Sequence, residues 1–370
     1  MRVRVTRLAV FTSRNGQLVC DVPARHRQFG LRPAAWLLLT HYTRWAEPRD
    51  EDAALVKQLL DAGVLIAEGS AEHRQEEEMG PWRSWGTAAT YFHLATRTLD
   101  GEHFVTAVDD TSRLRQKAEQ EPEPDPFKRY GTHSLALPTP MELTPALDRT
   151  LRERRTIRRF DDTAPVTLEQ LSTALHWTGG VQHRFDIPGF GEAVLKASPS
   201  GGSRHPVEIY PVVRNVGGLA PGLYHYAADA HALEALPGAA PDTETLLHWF
   251  GDQTFVARAG VLFLYTAMLE RSAWKYPTGR TYRAIYADLG HVSQTAYLTG
   301  TALGLGVFFT AAMRDEPIEE VFGLDWRTEI PLGINGFGVP HPQEAARLRE
   351  MAAGGPPGFS YPHDEWDGLG

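Results

Sequence analysis

Three clusters in this 370-residue chain hold residue types that could do chemistry. The first is RERRTIRRF at 152–160, with five arginines in an otherwise acidic protein. Arginine grips phosphate through a planar fork of N–H donors. The same run could be a solvated basic face favoured by the dipole at a helix C-terminus, and composition does not separate the two readings. The second is SPSGGSRHP at 198–206. Such a loop exposes backbone amides and allows close approach, so it could cradle an anion or lie along a flat ring; it could also be an ordinary turn. The third is Trp274-Lys275-Tyr276-Pro277. Burial lowers a lysine pKa and nearby cations lower a tyrosine pKa, so Lys275 and Tyr276 could form an acid/base pair. Alternatively Lys275 is a loop lysine that snorkels to water.

Other catalytic signatures are missing. There is no GxxxxGK[ST], no HExxH and no GxSxG. The pairs Gly304-Leu305-Gly306 and Gly336-Phe337-Gly338 lack the third glycine of a dinucleotide turn. Fifteen histidines are present, but none pairs with another at ligand spacing beside a carboxylate, so no metal is expected.

The elements that must position these clusters read as α/β from about 144 onward. Thr144 caps a helix with Pro145 at its first position and Leu143 as a staple. Thr167-Leu168-Glu169-Gln170 is a capping box before Leu171 and Leu175, and Gly179-Gly180 stops that helix. Strands are expected at 208–213, 261–268, 307–310 and 330–334. A long helix should run over 281–303 on the spacing of Tyr282, Ile285, Tyr286, Leu289, Val292 and Ala296. Gly304 ends it, and 317–322 is a short helix.

Upstream, Arg2-Val3-Arg4-Val5 alternates as an amphipathic edge strand, and Trp36-Leu37-Leu38-Leu39 reads as buried. Asp50 caps a helix to Ala62 with Leu55, Leu59 and Ala62 on one face; Gly63 stops it, and Val64-Leu65-Ile66 is a strand. Helix, stop and strand suggest a winged-helix-like unit. Its five acids make DNA an unsuitable partner. Residues 71–79 read as a solvated loop and EQEPEPDP at 119–126 as an extended linker. The expected division is 1–115 (N-terminal unit), 116–140 (linker), 141–345 (catalytic domain) and 346–370 (tail).

A net charge of −9 argues against nucleic acid, while 42% hydrophobic residues and nine Trp suit a packed core. The only cysteine, Cys20, excludes an internal disulfide. No apolar run is long enough to span a bilayer, and Leu8-Ala9-Val10-Phe11 is too short for a signal peptide, so a cytoplasmic location is expected.

The clusters in this order resemble the FMN-dependent nitroreductase superfamily, and within it the SagB/ThcOx-type peptide dehydrogenases. The resemblance rests on RRTIRRF at 154–160, SPSGGSRHP leading into VEIYPVV, GLYHY at 222–226, WKYPTGRTYRAIYADLGHVSQ at 274–294 and ALGLG at 302–306. It covers about 127–340. It implies an α+β fold, with a central, mainly antiparallel sheet flanked by helices, behind an N-terminal winged-helix-like domain. It implies bound FMN, with Arg154, Arg155, Thr156 and Arg158 at the phosphate and ring edge. Pro199, Ser200, Gly201 and Gly202 would lie along the isoalloxazine, and Gln294, Gly304, Leu305 and Gly306 would complete the cradle. Lys275 and Tyr276 would be the catalytic pair; failing them, Tyr282, Tyr286 or His205 would do the acid/base work. The implied reaction oxidises thiazoline or oxazoline to thiazole or oxazole in a ribosomally made precursor peptide. A base takes the ring proton and the flavin accepts a hydride. Cyclodehydratase proteins are the implied partners, and the chain should be a homodimer with flavin at the interface. The alternatives are an NAD(P)H-driven reductase of dehydroamino acids, nitro compounds or quinones, and a non-catalytic peptide-binding scaffold.

Overall fold

The computed structural model describes residues 1–97, 99–101, 145–187, 191–276 and 279–352, with residues 109, 112 and 116. The linker at 116–140, the Thr144 cap with its Leu143 staple, Pro277 and the tail from 353 lie outside or almost outside these residues.

The N-terminal region builds its own core from β1 (Val3–Val5), β2 (Val10–Arg14), β3 (Gln17–Val22), β4 (Arg27–Leu31), α1 (Pro33–His41), α2 (Ala53–Asp61) and β5 (Leu65–Ala67). Strand, the helix α2 and strand follow the expected order, the apolar segment at 36–39 lies in a further helix, α1, and β5 closes antiparallel on β1. β2, β3 and β4 form a separate three-stranded sheet. A short 3-10 turn over Asp50–Asp52 precedes α2, and the Asp50 side chain does not cap it. In α1, Leu38 and Leu39 are buried, but Trp36 and Leu37 are exposed, so only half of the expected apolar run faces inward.

One expectation fails outright. Residues 71–77 are not a loop but a helix, α3 (Ala71–Glu77), capped by the Ser70 hydroxyl. The acidic sequence is tolerated because Glu76 is only 3% exposed and meets a buried counter-charge. Arg4 donates to it at 2.5 Å, and Arg7 N at 2.9 Å. The same pair buries the polar side of β1, where alternation alone would leave Arg4 in water.

α4 (Trp82–Thr96) leaves this core. Trp82, Trp85 and Ala89 belong instead to the larger core of the second region. That region holds α5 (Pro145–Glu153), α6 (Leu168–Gly179), the hairpin β6 (Val181–Ile187) and β7 (Gly191–Lys196), β8 (Val207–Val213), β9 (Gly222–Ala227), β10 (Ala232–Ala235) and α7 (Thr243–Trp249). It continues with β11 (Val261–Met268), α8 (Leu269–Lys275), α9 (Thr281–Ala302), β12 (Gly306–Thr310), α10 (Asp315–Phe322), β13 (Glu329–Gly338) and α11 (Pro342–Ala352).

Six strands form one sheet in the order β10-β9-β8-β11-β13-β12, and every pair in it is antiparallel. β11 is apolar throughout because both faces are covered. Val261, Phe263 and Tyr265 point to the side of α6 and α9, and Leu262 and Leu264 to the side of α7 and α10. The capping box forms in both directions: Gln170 N donates to Thr167 Oγ1 and Thr167 N to Gln170 Oε1. The glycines of Gly336-Phe337-Gly338 serve packing. A Cβ on Gly336 would lie 2.2 Å from the Phe308 ring, and one on Gly338 2.7 Å from Phe160. No helix among the described residues is long and apolar enough to cross a membrane.

Candidate active site

The glycine loop connects β7 to β8 and is tied to one face of α9. Ser200 Oγ donates to Asp288 at 2.6 Å and Gly201 N to the same carboxylate at 3.0 Å. His291 Nδ1 donates to the Pro199 carbonyl at 3.1 Å, and Ser198 Oγ meets Thr295 Oγ1 at 2.6 Å. Asp288, His291 and Thr295 are spaced i, i+3, i+7, so one helix face holds the whole loop. These three are site residues that the sequence reading left without a role; the spacing was the available signal. The loop is also strained: Gly202, Ser203 and His205 all have positive φ, at 63°, 57° and 43°. His205 N donates to Ser200 Oγ at 2.8 Å and holds the turn. Burial, then the Lys196 charge, keep the His205 imidazole below its ordinary pKa.

Lys275 ends α8 and Tyr276 follows it. Lys275 Nζ donates to the Gly202 carbonyl at 3.1 Å. A Cβ on Gly202 would stand 2.3 Å from Tyr276 Oη. Thr281 Oγ1, at the start of α9, donates to the Tyr276 carbonyl at 2.7 Å and fixes the turn. The pair and the glycine loop therefore meet. The aromatic burial expected for the pair is not found within one chain: Lys275 is exposed, Tyr276 is 40% exposed and Trp274 66%.

The arginine cluster runs beside the sheet rather than as a free helix end. Thr156 bridges to Val307, and Ile157 N donates to the Val307 carbonyl at 2.8 Å. Gly306 permits this contact, since a Cβ there would lie 2.7 Å from Ile157. The Arg154 guanidinium lies 5.3 Å from the centre of the Tyr297 ring, and Thr156 Oγ1 is 3.1 Å from the Tyr297 hydroxyl. Arg158 stacks on Phe255 at 5.2 Å. Neither arginine has a carboxylate partner among the described residues. Stacking leaves the in-plane donors of a guanidinium open to an anion. Arg155 turns away, donating to the carbonyls of Arg152 and Arg154 at 2.6 and 2.7 Å. With Gly304 and Leu305 it lines a separate cleft of about 180 Å³.

Within one chain the two halves of the expected cradle do not face each other. Asp288 holds the loop and Tyr297 holds Arg154. Nine helical residues apart, they lie about 14 Å apart along the axis and on opposite sides of α9. Between them runs an exposed strip of Arg283, Ala287, Gly290 and Gln294. The Gln294 side chain makes no hydrogen bond among the described residues.

The residues present suit a bound flavin. The glycine loop presents small residues and backbone at Ser200, Gly201 and Gly202, with Gly202 so close to Tyr276 that a Cβ would not fit, and the two stacked arginines lack acid partners among the described residues.

One network crosses from the N-terminal region. His93 on α4 meets the Tyr282 hydroxyl at 2.5 Å through Nδ1, and Tyr282 meets Tyr286 at 3.4 Å. His93 stacks on Trp82 at 4.7 Å. Burial drives its pKa down to about 3, so the imidazole is neutral. Burial also pushes the Tyr282 phenol upward, which counts against it as a substitute acid or base. Nothing in the motifs pointed to His93, because its partner is 189 residues away.

The fold and this site define a flavin-type oxidoreductase scaffold with an added N-terminal unit. The chain belongs to the nitroreductase family, whose family model matches residues 151–339. It is 26% identical over 290 residues to trifolitoxin-processing protein TfxB of Rhizobium leguminosarum bv. trifolii, covering 75% of this chain and 76% of that one. It is 33% identical over 201 residues to the putative nitroreductase MJ1384 of Methanocaldococcus jannaschii, covering 54% of this chain and 93% of that one. Its fold is similar to a chain of the E. coli microcin synthetase McbBCD complex with truncated pro-MccB17 bound. The TM-score is 0.53 at 23% identity, over 72% of this chain and 97% of that chain.

Proposed function

We propose that this chain is an FMN-dependent dehydrogenase that matures a ribosomally made peptide by oxidising a thiazoline or oxazoline to the aromatic azole. The observation that carries the reading is the convergence of Lys275 and Tyr276 on Gly202. A plain nitroreductase needs the flavin loop but has no evident use for a positioned Lys-Tyr pair on it. The similarity to TfxB, a toxin-processing protein, supports a peptide substrate.

Bound flavin would supply a two-electron acceptor. Arg154, Arg158 and Thr156 would hold its single phosphate; with no dinucleotide fingerprint, FMN fits better than FAD. Pro199, Ser200, Gly201 and Gly202 would lie along its ring, with Gly202 and the Tyr276 hydroxyl at its reacting end. Tyr276 or Lys275 takes the proton from the ring carbon, and the other holds the charge that results. Removal of this proton together with a hydride balances azoline to azole.

The opposite placement of loop and arginines on α9 supports a homodimer in which each flavin is held by the loop of one subunit and the arginines of its partner. Gly290 on the strip leaves room for close approach, since a Cβ there would meet nothing within 4 Å. Cyclodehydratase partners, and a cytoplasmic location with Cys20 as a buried thiol, complete the reading. The test is direct: the purified protein should carry flavin absorption bands and convert an azoline peptide to a product 2 Da lighter (about two hydrogens,). A colourless protein, or flavin without peptide oxidation, would reject it.

A further inference from the structure

We propose that Arg271 is a positioning residue that locks the glycine loop to the helix carrying Lys275 and Tyr276, and that Glu208 and His225 hold it in place. The proposal deepens the reading above and rests on loop and pair forming one site.

Arg271 lies on α8, one turn before Lys275. Its Nη1 donates to the His205 carbonyl at 3.0 Å and also to the Glu208 carboxylate. His205 is the last turn of the loop, and its own N–H closes on Ser200. The guanidinium therefore bridges the far end of the loop to the helix, while Lys275 bridges the middle of the loop to the same helix. Without Arg271, the strained turn at Ser203 and His205 keeps on α8 only the Lys275 bond to the Gly202 carbonyl and the stacking of Arg204 on Trp274 at 5.5 Å.

Glu208 is the hub. Its side chain is 14% exposed, and its second oxygen meets His225 Nε2 at 2.9 Å. His225 Nδ1 meets Glu234, its direct cross-strand partner, at 2.8 Å. A neutral imidazole has one N–H. Two carboxylates on its two nitrogens therefore require the imidazolium. The hydrogen bond to Glu208, the largest contribution, raises the pKa of His225 to about 9. The other groups facing this cluster are Lys196 on β7, whose charge helps hold Glu208 ionised, and Tyr210 on β8, whose ring is 5.0 Å from His225. Tyr210 donates to Glu329 of β13 at 2.9 Å. Once His225 deprotonates, a ring lone pair must face one of its two carboxylates, and Glu208 loses the neighbouring positive charge that helps fix it toward Arg271.

Arg271→Ala should lower kcat for peptide oxidation by about 10²-fold with KM and flavin content unchanged, as for displaced catalytic groups. Arg271→Lys, whose single ammonium can donate to the carbonyl and to Glu208 as Nη1 does, should recover most of it. Hydrogen exchange at the amides of Ser203 and His205, measured on flavin-free protein, should rise roughly tenfold in R271A while β11 stays protected. The His225 ring signal should titrate with a midpoint near 9, and activity should fall through the same pH in wild type but not in His225→Gln. Unchanged exchange in R271A, a wild-type kcat in that variant, or a His225 midpoint at the ordinary imidazole value overturns the proposal. Wild-type protein that purifies without flavin overturns the flavin reading alone, because the exchange measurement needs no flavin.

Discussion

The Tyr276 hydroxyl lies against the Gly202 backbone so closely that a methyl group on that glycine would stand 2.3 Å from Oη. Gly202 also has φ of +63°, where any side chain costs about 1–2 kcal/mol. Gly202→Ala should therefore destabilise the protein by about that amount and push Tyr276 off the loop. Peptide oxidation should drop at least as far as in Tyr276→Phe. Thermal melts and turnover, measured together, check this; an alanine variant with wild-type turnover would detach Tyr276 from the chemistry.

Lys275→Ala and Tyr276→Phe should each slow peptide oxidation by about 10²–10⁴-fold, the range for positioned acid/base groups. Neither touches Arg154 or Arg158, so both proteins should remain folded and yellow. Anaerobic rapid mixing with the peptide should show slow bleaching at normal flavin content. Lost flavin would make the pair structural.

Arg154 and Arg158 stack on Tyr297 and Phe255 and have no acid partner among the described residues. Replacing both with Ala should strip the flavin, because each removes a charge-assisted contact of about 1.5–3 kcal/mol. Full absorbance at 450 nm (roughly the flavin band,) in the purified double variant would refute the phosphate assignment.

Gly290 faces the exposed strip of α9 with open space beyond its Cα. Gly290→Arg should be tolerated by an isolated chain, since glycine costs a helix about 1 kcal/mol relative to other residues. It should block a second α9 from packing there. Sedimentation should show a folded monomer lacking flavin; a flavin-loaded dimer would move the interface elsewhere.

His93 gives the fold a pH dependence of known sign. Its folded pKa is depressed to about 3, so below the unfolded value of about 6.5 the unfolded chain binds a proton that the folded chain does not. Between these limits, stability should fall by about 1.4 kcal/mol per pH unit as pH drops. His93→Phe should flatten that part of the profile. Equal slopes in wild type and variant, from denaturant melts at pH 4 to 7 (roughly the window set by the two values,), would show that His93 accepts the proton in place.

The long helix was legible to within a residue from its helical spacing, and β11 at its full length from an unbroken apolar run, because that strand is covered on both faces. The capping box over Thr167 and Gln170 was equally legible, being a contact three residues long. The glycine loop, the arginines and the Lys-Tyr pair stood out as local clusters, and their residue types set the chemistry each could do. What the sequence could not determine was which clusters meet. Lys275 reaches Gly202 across 73 residues, whereas Arg154 lies on the far side of α9 from that loop. The same holds for Glu76. Its run of acids reads as solvated, and only the return of β1 brings Arg4 within 2.5 Å and makes burial tolerable. Local patterns record the face a residue turns inward. Charge pairing and site assembly depend on long-range register, and only the tertiary structure decides that register.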